Sequence, residues 1–299
     1  MPKLPPIYDG RFVLRPEQDT SYVHFENAAS HPFQPDPALF PRVNVWWLAE
    51  AALLSYWDPD AAIARFNAAG LEAEFVKAGG TECYVIWQST WLVVAFRGTE
   101  GDQWRDILTD AAFAQIPWQG SHVHAGFAQA AREIEPKLTP VINRLAAGRT
   151  LWFCGHSLGA ALATLTADLY AGTRGVCTFG SPRIGDVVFS MAFTARFAGR
   201  SLRYVNNHDV VTHVPPPVLL PWNFRHVDPR RFIDPAGRVS AGGPNLAHFF
   251  SDLIGHPQTL LEMIEGLQQG VFTHPPRFFL EHMPKAYAIW AWNDYEAHG

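Results

Sequence analysis

The chain has 299 residues, of which 48% are hydrophobic, so material for a large core is ample and a disordered chain of low hydrophobicity and high net charge is excluded. Charged residues make only 17% and aromatic residues 13%, with 11 Trp and 21 Phe, whereas typical soluble domains are about 25% charged. A net charge of −5 argues against nucleic acid as a partner, because phosphate recognition rests on a basic surface.

The first 40 residues are rich in Pro and poorly periodic. MPKLPPIYDG shows no apolar stretch and no small-residue cleavage site of a leader. The expectation is a cytoplasmic chain, or a secreted form whose leader has been removed. No run approaches the roughly 18 apolar residues of a spanning helix, so no transmembrane segment is expected. Helix is predicted over about 44–57, with Val45, Ala49, Ala52, Leu53 and Tyr56 on one face. Asp58 and Pro59 interrupt it, and Asp60 is placed to cap a second short helix ending near Gly70. Strands follow at Cys83–Gln88 and Trp91–Phe96, a helix at about 126–147, and further strands at Leu151–Cys154, Val176–Phe179 and Leu202–Val205. Alternating strands and helices predict an α/β fold, a mostly parallel sheet covered on both faces. No repeat, low-complexity tract or charge run marks a boundary, so one domain over 1–299 is expected. Cys83, Cys154 and Cys177 have no zinc spacing. Cys154 and Cys177 lie in apolar strand-like runs and read as small core residues.

Gly155-His156-Ser157-Leu158-Gly159 fits the G-x-S-x-G nucleophile elbow. A buried strand, Leu151–Cys154, precedes it, and an Ala- and Leu-rich helical stretch, Leu158–Ala171, follows. The chemistry needs that context: glycines permit a tight turn that pushes the serine Oγ out of the sheet. The helix N-terminus then supplies N–H groups and positive dipole beside a developing oxyanion. The backbone N–H of Leu158, directly after the serine, is the first expected oxyanion donor.

Several further segments, in order, resemble the class 3 lipases, a family of α/β-hydrolases typified by secreted lipases of filamentous fungi. Val93-Val94-Ala95-Phe96-Arg97-Gly98-Thr99 is similar to the family's strand and RGT segment, and Trp104 with Asp106-Ile107-Leu108 to the stretch after it. His124-Ala125-Gly126-Phe127 resembles an H-x-G-F element, Gly180-Ser181-Pro182-Arg183-Ile184-Gly185 a G-x-P-R-x-G turn, and Asp209 through Pro216 the acidic motif. The resemblance runs over about residues 45 to 290. It implies an α/β-hydrolase fold with a short lid helix, and a serine hydrolase acting on carboxylic esters of acylglycerols.

In α/β-hydrolases the acid and then the base follow the serine. The resemblance makes Asp209 the acid. Asp186 is its main rival, and Asp228 and Asp234 read as solvated hairpin residues. Glu281-His282-Met283, with Tyr287 beyond, resembles the family's terminal element and implies His282 as the base; His274 and His248 remain alternatives. His213 sits too near Asp209 in sequence, His226 resembles a structural strand histidine, and His298 lies next to the C-terminus. By resemblance Thr99 is the second oxyanion residue, through its N–H and hydroxyl.

Trp104, Ile107, Leu108 and Ala111 recur at helical spacing just after Thr99. The resemblance makes about 100–113 a lid, with Trp104, Ile107, Leu108, Phe113 and His156 on the lid and substrate side. A second amphipathic stretch near Leu260–Leu267 suggests a cap insertion over about 244–275, and Trp118, Phe249 and Phe250 also fall in expected lid or pocket segments. His122-Val123-His124 and the His208/His213 pair lack a third ligand in any readable motif, so no metal is expected. No phosphate-cradling glycine loop is present, and no cofactor is implied. The expected partner is an acylglycerol or other ester lipid, met at a lipid–water interface. A phospholipase A1, a short-chain carboxylesterase, an acyltransferase and a catalytically silent lipid-binding scaffold are the competing readings.

Overall fold

The computed structural model describes residues 1–98, 114–241 and 277–299. The expected lid at 100–113 and cap at 244–275, with Thr99, Trp104, Ile107, Leu108, Phe113, His248, Phe249, Phe250 and His274, therefore lie outside the described residues.

Three antiparallel strands open the sheet: β1 (Glu72–Ala78), β2 (Thr81–Trp87) and β3 (Trp91–Phe96). A separate hairpin, β4 (Gln115–Trp118) and β5 (Ser121–His124), turns through Gln119 and Gly120, both at positive φ as a two-residue hairpin turn requires. The parallel centre continues with β6 (Thr150–His156), β7 (Thr173–Phe179), β8 (Ser201–Asn206) and β11 (Arg230–Ile233); a small hairpin, β9 (Val218–Leu219) and β10 (Trp222–Asn223), stands apart. β12 (Val239–Ser240) closes the far edge antiparallel to β11. The resulting order, β1-β2-β3-β6-β7-β8-β11-β12, is monotonic.

That order decides where the helices go. Parallel crossovers within one sheet are right-handed in nearly all proteins, so strands laid down in one direction send every crossover helix to the same face. On that face Val94, Phe96, Phe153 and Val176 pack with buried residues of the helices Ala125–Leu145, Leu158–Leu169 and Val187–Arg196. Side chains alternate along a strand, and Val93, Ala95, Trp152, Cys154 and Cys177 point to the other face. Both ends of the chain cover this second face, through helices Arg42–Leu54, Pro59–Ala68 and Pro284–His298.

The predicted strands and helices recur with shifted ends. The Asp60 cap is corrected: Asp58 occupies the N-cap position with Pro59 inside the first turn, where proline's fixed φ suits a helix start. The strand Glu72–Ala78 had no expectation of its own.

The Pro-rich first 40 residues are irregular apart from a helical turn at Arg11–Leu14 and two short 3-10 turns, yet they belong to the core. Val13, Phe25 and Phe33 are buried. Glu50, fully buried on the Arg42–Leu54 helix, accepts from the Tyr22 hydroxyl at 2.6 Å, the Phe25 N–H at 3.2 Å and the Trp46 indole N–H at 3.0 Å. Phe33 lies between Trp91 and Trp152, with ring centroids 4.7 and 5.2 Å away. Trp118, expected near the lid, is instead buried on the crossover-helix face, its indole N–H donated to Asp168. If the N-terminal segment is integral to the core, Phe33→Ala lowers the free energy of unfolding by about 3–5 kcal/mol. A urea titration measures this, and a loss below about 1 kcal/mol, typical of surface positions, would show that the segment merely lies on the surface.

Candidate active site

The site sits at the carboxyl end of β6, in the middle of the sheet. Ser157 follows this strand with φ +59° and ψ −129°, a conformation sparsely populated by residues other than glycine. The turn is locked from both sides. The Ser157 N–H donates to the Phe179 carbonyl at 3.0 Å, and the helix Leu158–Leu169 begins at once. A Cβ on Gly155 would lie 2.2 Å from the Gly159 carbonyl oxygen, and one on Gly159 would lie 2.3 Å from that of Phe96. The two flanking glycines are thus required by close backbone approach. The Ser157 side chain is buried, and its Oγ makes no hydrogen bond to the described residues. Leu158 opens the helix, half-buried, with its N–H among the helix's unpaired first-turn donors.

Asp209 lies three residues beyond β8 and caps the short 3-10 helix Val210–His213, accepting from the Val211 N–H at 2.9 Å. Its fully buried carboxylate stands within 2.8 Å of His282 Nδ1 through both oxygens and accepts from the Tyr287 hydroxyl at 2.5 Å. Tyr287 in turn accepts the Asn206 N–H at 3.0 Å, which fixes the phenol relative to the end of β8. Three donors to one carboxylate replace the water it loses on burial.

His282 reaches this place on the segment between helices Arg277–Leu280 and Pro284–His298. Glu281, 1% exposed, ties that segment to the loop that carries Asp209. Its carboxylate accepts from the Asn207 side-chain amide at 2.7 Å, the His208 N–H at 3.0 Å and Arg277 Nε at 2.9 Å. Gly180, directly after β7 at φ +58°, leaves the room: a Cβ there would lie 2.7 Å from Asp209 Oδ2 and 2.9 Å from His282 Cε1. Because Gly180 adjoins the Phe179 carbonyl that holds Ser157, the same strand end carries the serine turn and the His–Asp pair.

His156 was expected on the substrate side. Its ring is 2% exposed and lies against His282, with centroids 4.3 Å apart, while the Tyr56 hydroxyl hydrogen-bonds His156 Nδ1 at 2.8 Å. Burial, with His282 beside it, pushes the His156 imidazole well below its ordinary range, so the ring packed on His282 is neutral. Tyr56 and Gly98 complete this wall, for a Cβ on Gly98 would lie 1.9 Å from the Tyr56 hydroxyl. Nothing in the spacing of Tyr56, a hundred residues before His156, marks it for this position.

The remaining candidates fall elsewhere. Asp186 caps the Val187–Arg196 helix through the Phe189 N–H at 2.8 Å and also accepts the His122 N–H. His213 is buried and pushed down to about 3 by that burial and by Arg183. His226 Nε2 meets the Thr212 carbonyl at 2.7 Å, and His298 bonds within its own helix. Among the described residues no cluster of three metal-ligating side chains forms, and no helix is long and apolar enough to cross a membrane.

Residues 93–219 match the family model of Lipase (class 3). The chain is 31% identical over 169 residues to a secreted mono- and diacylglycerol lipase 1 of Fusarium solani, covering 51% of this chain and 45% of that one. It is likewise 31% identical over 137 residues to a lipase of Rhizomucor miehei, covering 42% and 38%. It thus spans less than half the length of these curated relatives. Among solved structures, lipase II from Rhizopus niveus superposes with a TM-score of 0.51 at 27% identity, over 63% of this chain and 77% of that one. The mono- and diacylglycerol lipase of Aspergillus oryzae superposes with a TM-score of 0.59 at 21% identity over 75% and 94%, a likeness of fold. The matched region holds both the Ser157 elbow and Asp209, and over it the chain is similar to the class 3 lipases.

Proposed function

We propose that this chain hydrolyses carboxylic esters of acylglycerols through an acyl-enzyme on Ser157. The observation that carries the reading is the buried His282–Asp209 pair beside a strained serine turn, on a sheet whose relatives are lipases. With Nδ1 committed to Asp209, the imidazole has Nε2 for proton transfer. Ser157 Oγ attacks the ester carbonyl as its proton passes to His282, and the carboxylate of Asp209 stabilises the resulting imidazolium. The tetrahedral oxyanion is held by the Leu158 N–H, with Thr99 as the second donor. Collapse breaks the ester C–O bond, and the proton leaves with the alcohol. Water then enters by the reverse path, transfers its proton to His282 and releases the fatty acid.

Acylglycerols are favoured over other esters because the curated relatives with these motifs are named as mono- and diacylglycerol lipases. Rates on glycerol esters of rising chain length, taken below and above their solubility limit, test the substrate class. A jump above the limit supports the lipase reading. A plateau on short soluble esters overturns it in favour of a carboxylesterase, and faster release from phosphatidylcholine in favour of a phospholipase A1.

Mixing the enzyme with excess p-nitrophenyl butyrate is expected to give a burst of p-nitrophenol stoichiometric with enzyme. Ser157→Ala abolishes the burst and lowers kcat by about 10⁴–10⁶-fold; preserved turnover would remove Ser157 from the mechanism. Tyr287→Phe deletes one donor to the buried carboxylate. A hydrogen bond to a charged group is worth about 1.5–3 kcal/mol, so kcat/KM is expected to fall about 10- to 100-fold, and an unchanged value would show that Tyr287 does not position Asp209.

A further inference from the structure

Beside the Val210–His213 turn a cleft with about 50 Å³ of water-accessible space, partly open to solvent, is lined by Arg183, Arg203, Arg230, Asn207, Thr212 and His213 among others, and no carboxylate lines it. Arg183 and Arg203 are 7% and 5% exposed. Among the described residues Arg183 and Arg230 have no carboxylate within ion-pair distance. Arg203 meets only Asp228, 3.4 Å away, whose side chain is 62% exposed.

The guanidinium donors are only partly used. Arg183 donates through Nη1 to the carbonyls of His213 and Pro215, and Arg203 through Nε to the Val227 carbonyl at 2.9 Å. Each guanidinium has five N–H donors in a planar fork. Arg183 Nε and Nη2, Arg203 Nη1 and the whole Arg230 fork make no hydrogen bond to described residues. Burial first, and then the neighbouring guanidiniums, push Arg183 down to about 10; Arg203 is pushed to about 10 by burial, with Arg230 opposing its charge. Two of these three cations are largely withdrawn from water with little counter-charge, an arrangement that costs free energy.

We propose that this cleft binds a small oxyanion of the phosphate type, held by the forks of Arg183, Arg203 and Arg230. Planar guanidinium forks match the oxygen spacing of a phosphate. Asn207 and Thr212 stand at the rim as polar neighbours. The ligand would also brace the turn that carries the acid, since the Thr212 hydroxyl donates to the Asp209 carbonyl at 2.8 Å from the same 3-10 helix.

Inorganic phosphate is titrated against the full chain by thermal unfolding, with sodium chloride at matched ionic strength as reference. Phosphate excluded from surfaces stabilises proteins generally, in proportion to its concentration, so the informative component is the logarithmic one that site binding adds. At tenfold excess over Kd, linkage predicts a rise in Tm of about 2–4 °C that then grows with the logarithm of phosphate. Arg230→Gln loses this component and Arg230→Lys retains part of it. Arg230→Glu supplies the missing counter-charge from within, and is expected to raise Tm without phosphate and to abolish the logarithmic response. Absence of a logarithmic component in the parent chain, an equal one in Arg230→Gln, or a lower Tm in Arg230→Glu would overturn the site. Sedimentation with phosphatidate but not phosphatidylcholine vesicles, lost in Arg230→Gln, would assign the oxyanion to a lipid headgroup. A logarithmic rise of Tm with free phosphate without such sedimentation assigns a free anion. A parent chain that neither responds to phosphate nor sediments in an Arg230-dependent way refutes both sources.

Discussion

The right-handedness of parallel crossovers is the constraint from which the rest of this molecule follows. With strands β3, β6, β7, β8 and β11 added in one direction, all connecting helices are driven to one face. The second face must then be covered by what remains of the chain, which is its two ends. That is why an irregular, Pro-rich N-terminal stretch packs into the core. It is also why the helix Pro284–His298 lies across the sheet, bringing His282 at its start to the carboxyl ends of the strands. His282 is delivered by the same element that closes the core.

Such a layout puts charge where water is scarce. Asp209, Glu281 and Glu50 are buried, each met by several donors from different parts of the chain. A buried ion pair is weak evidence for stability, because desolvation offsets most of its attraction. It is strong evidence for geometry, because losing one partner strands the other. The Glu281 contacts with Asn207, His208 and Arg277 make the Asp209 loop and the His282 segment a single hydrogen-bonded unit. Tyr287 and Asn206 extend that unit into the helix and strand behind it. The arginine cleft beyond Val210–His213 is the reverse case, cations gathered on one side of the same turn with little to balance them.

The low charge and high aromatic content have a mainly structural cause. Trp46, Trp47, Trp57, Trp91, Trp118, Trp152, Trp290 and Trp292 are all buried, and most pack on the face covered by the chain ends. Wide rings suit that face, where helices and irregular segments from the two ends of the chain must be packed together. Trp46 and Trp292, centroids 4.8 Å apart, join the first long helix to the last. An apolar substrate is not needed to account for these residues.

Local order was legible wherever one segment supplies its own reason. The strand Trp91–Phe96, the elbow Gly155–Gly159 and the helix after it are written in consecutive residues, and Gly155 is demanded by Gly159 four positions on, whereas Gly159 itself is demanded by Phe96 on a neighbouring strand. The resemblance singled out Asp209 and His282, and the structure places them 2.8 Å apart. Elsewhere the reason lies across the chain. Glu72–Ala78 is a strand because it pairs with β2, and Phe33 is buried because Trp91 and Trp152 need a cover. Tyr56 faces His156 because two elements a hundred residues apart cross at the end of β3. By itself, then, the sequence determined the alternation of strands and helices and the tight serine turn between a strand and a helix. Only the tertiary structure decided which histidine ring backs His282, which carboxylates are buried and where unbalanced arginines meet, since those outcomes depend on contacts made after the sheet has chosen its faces.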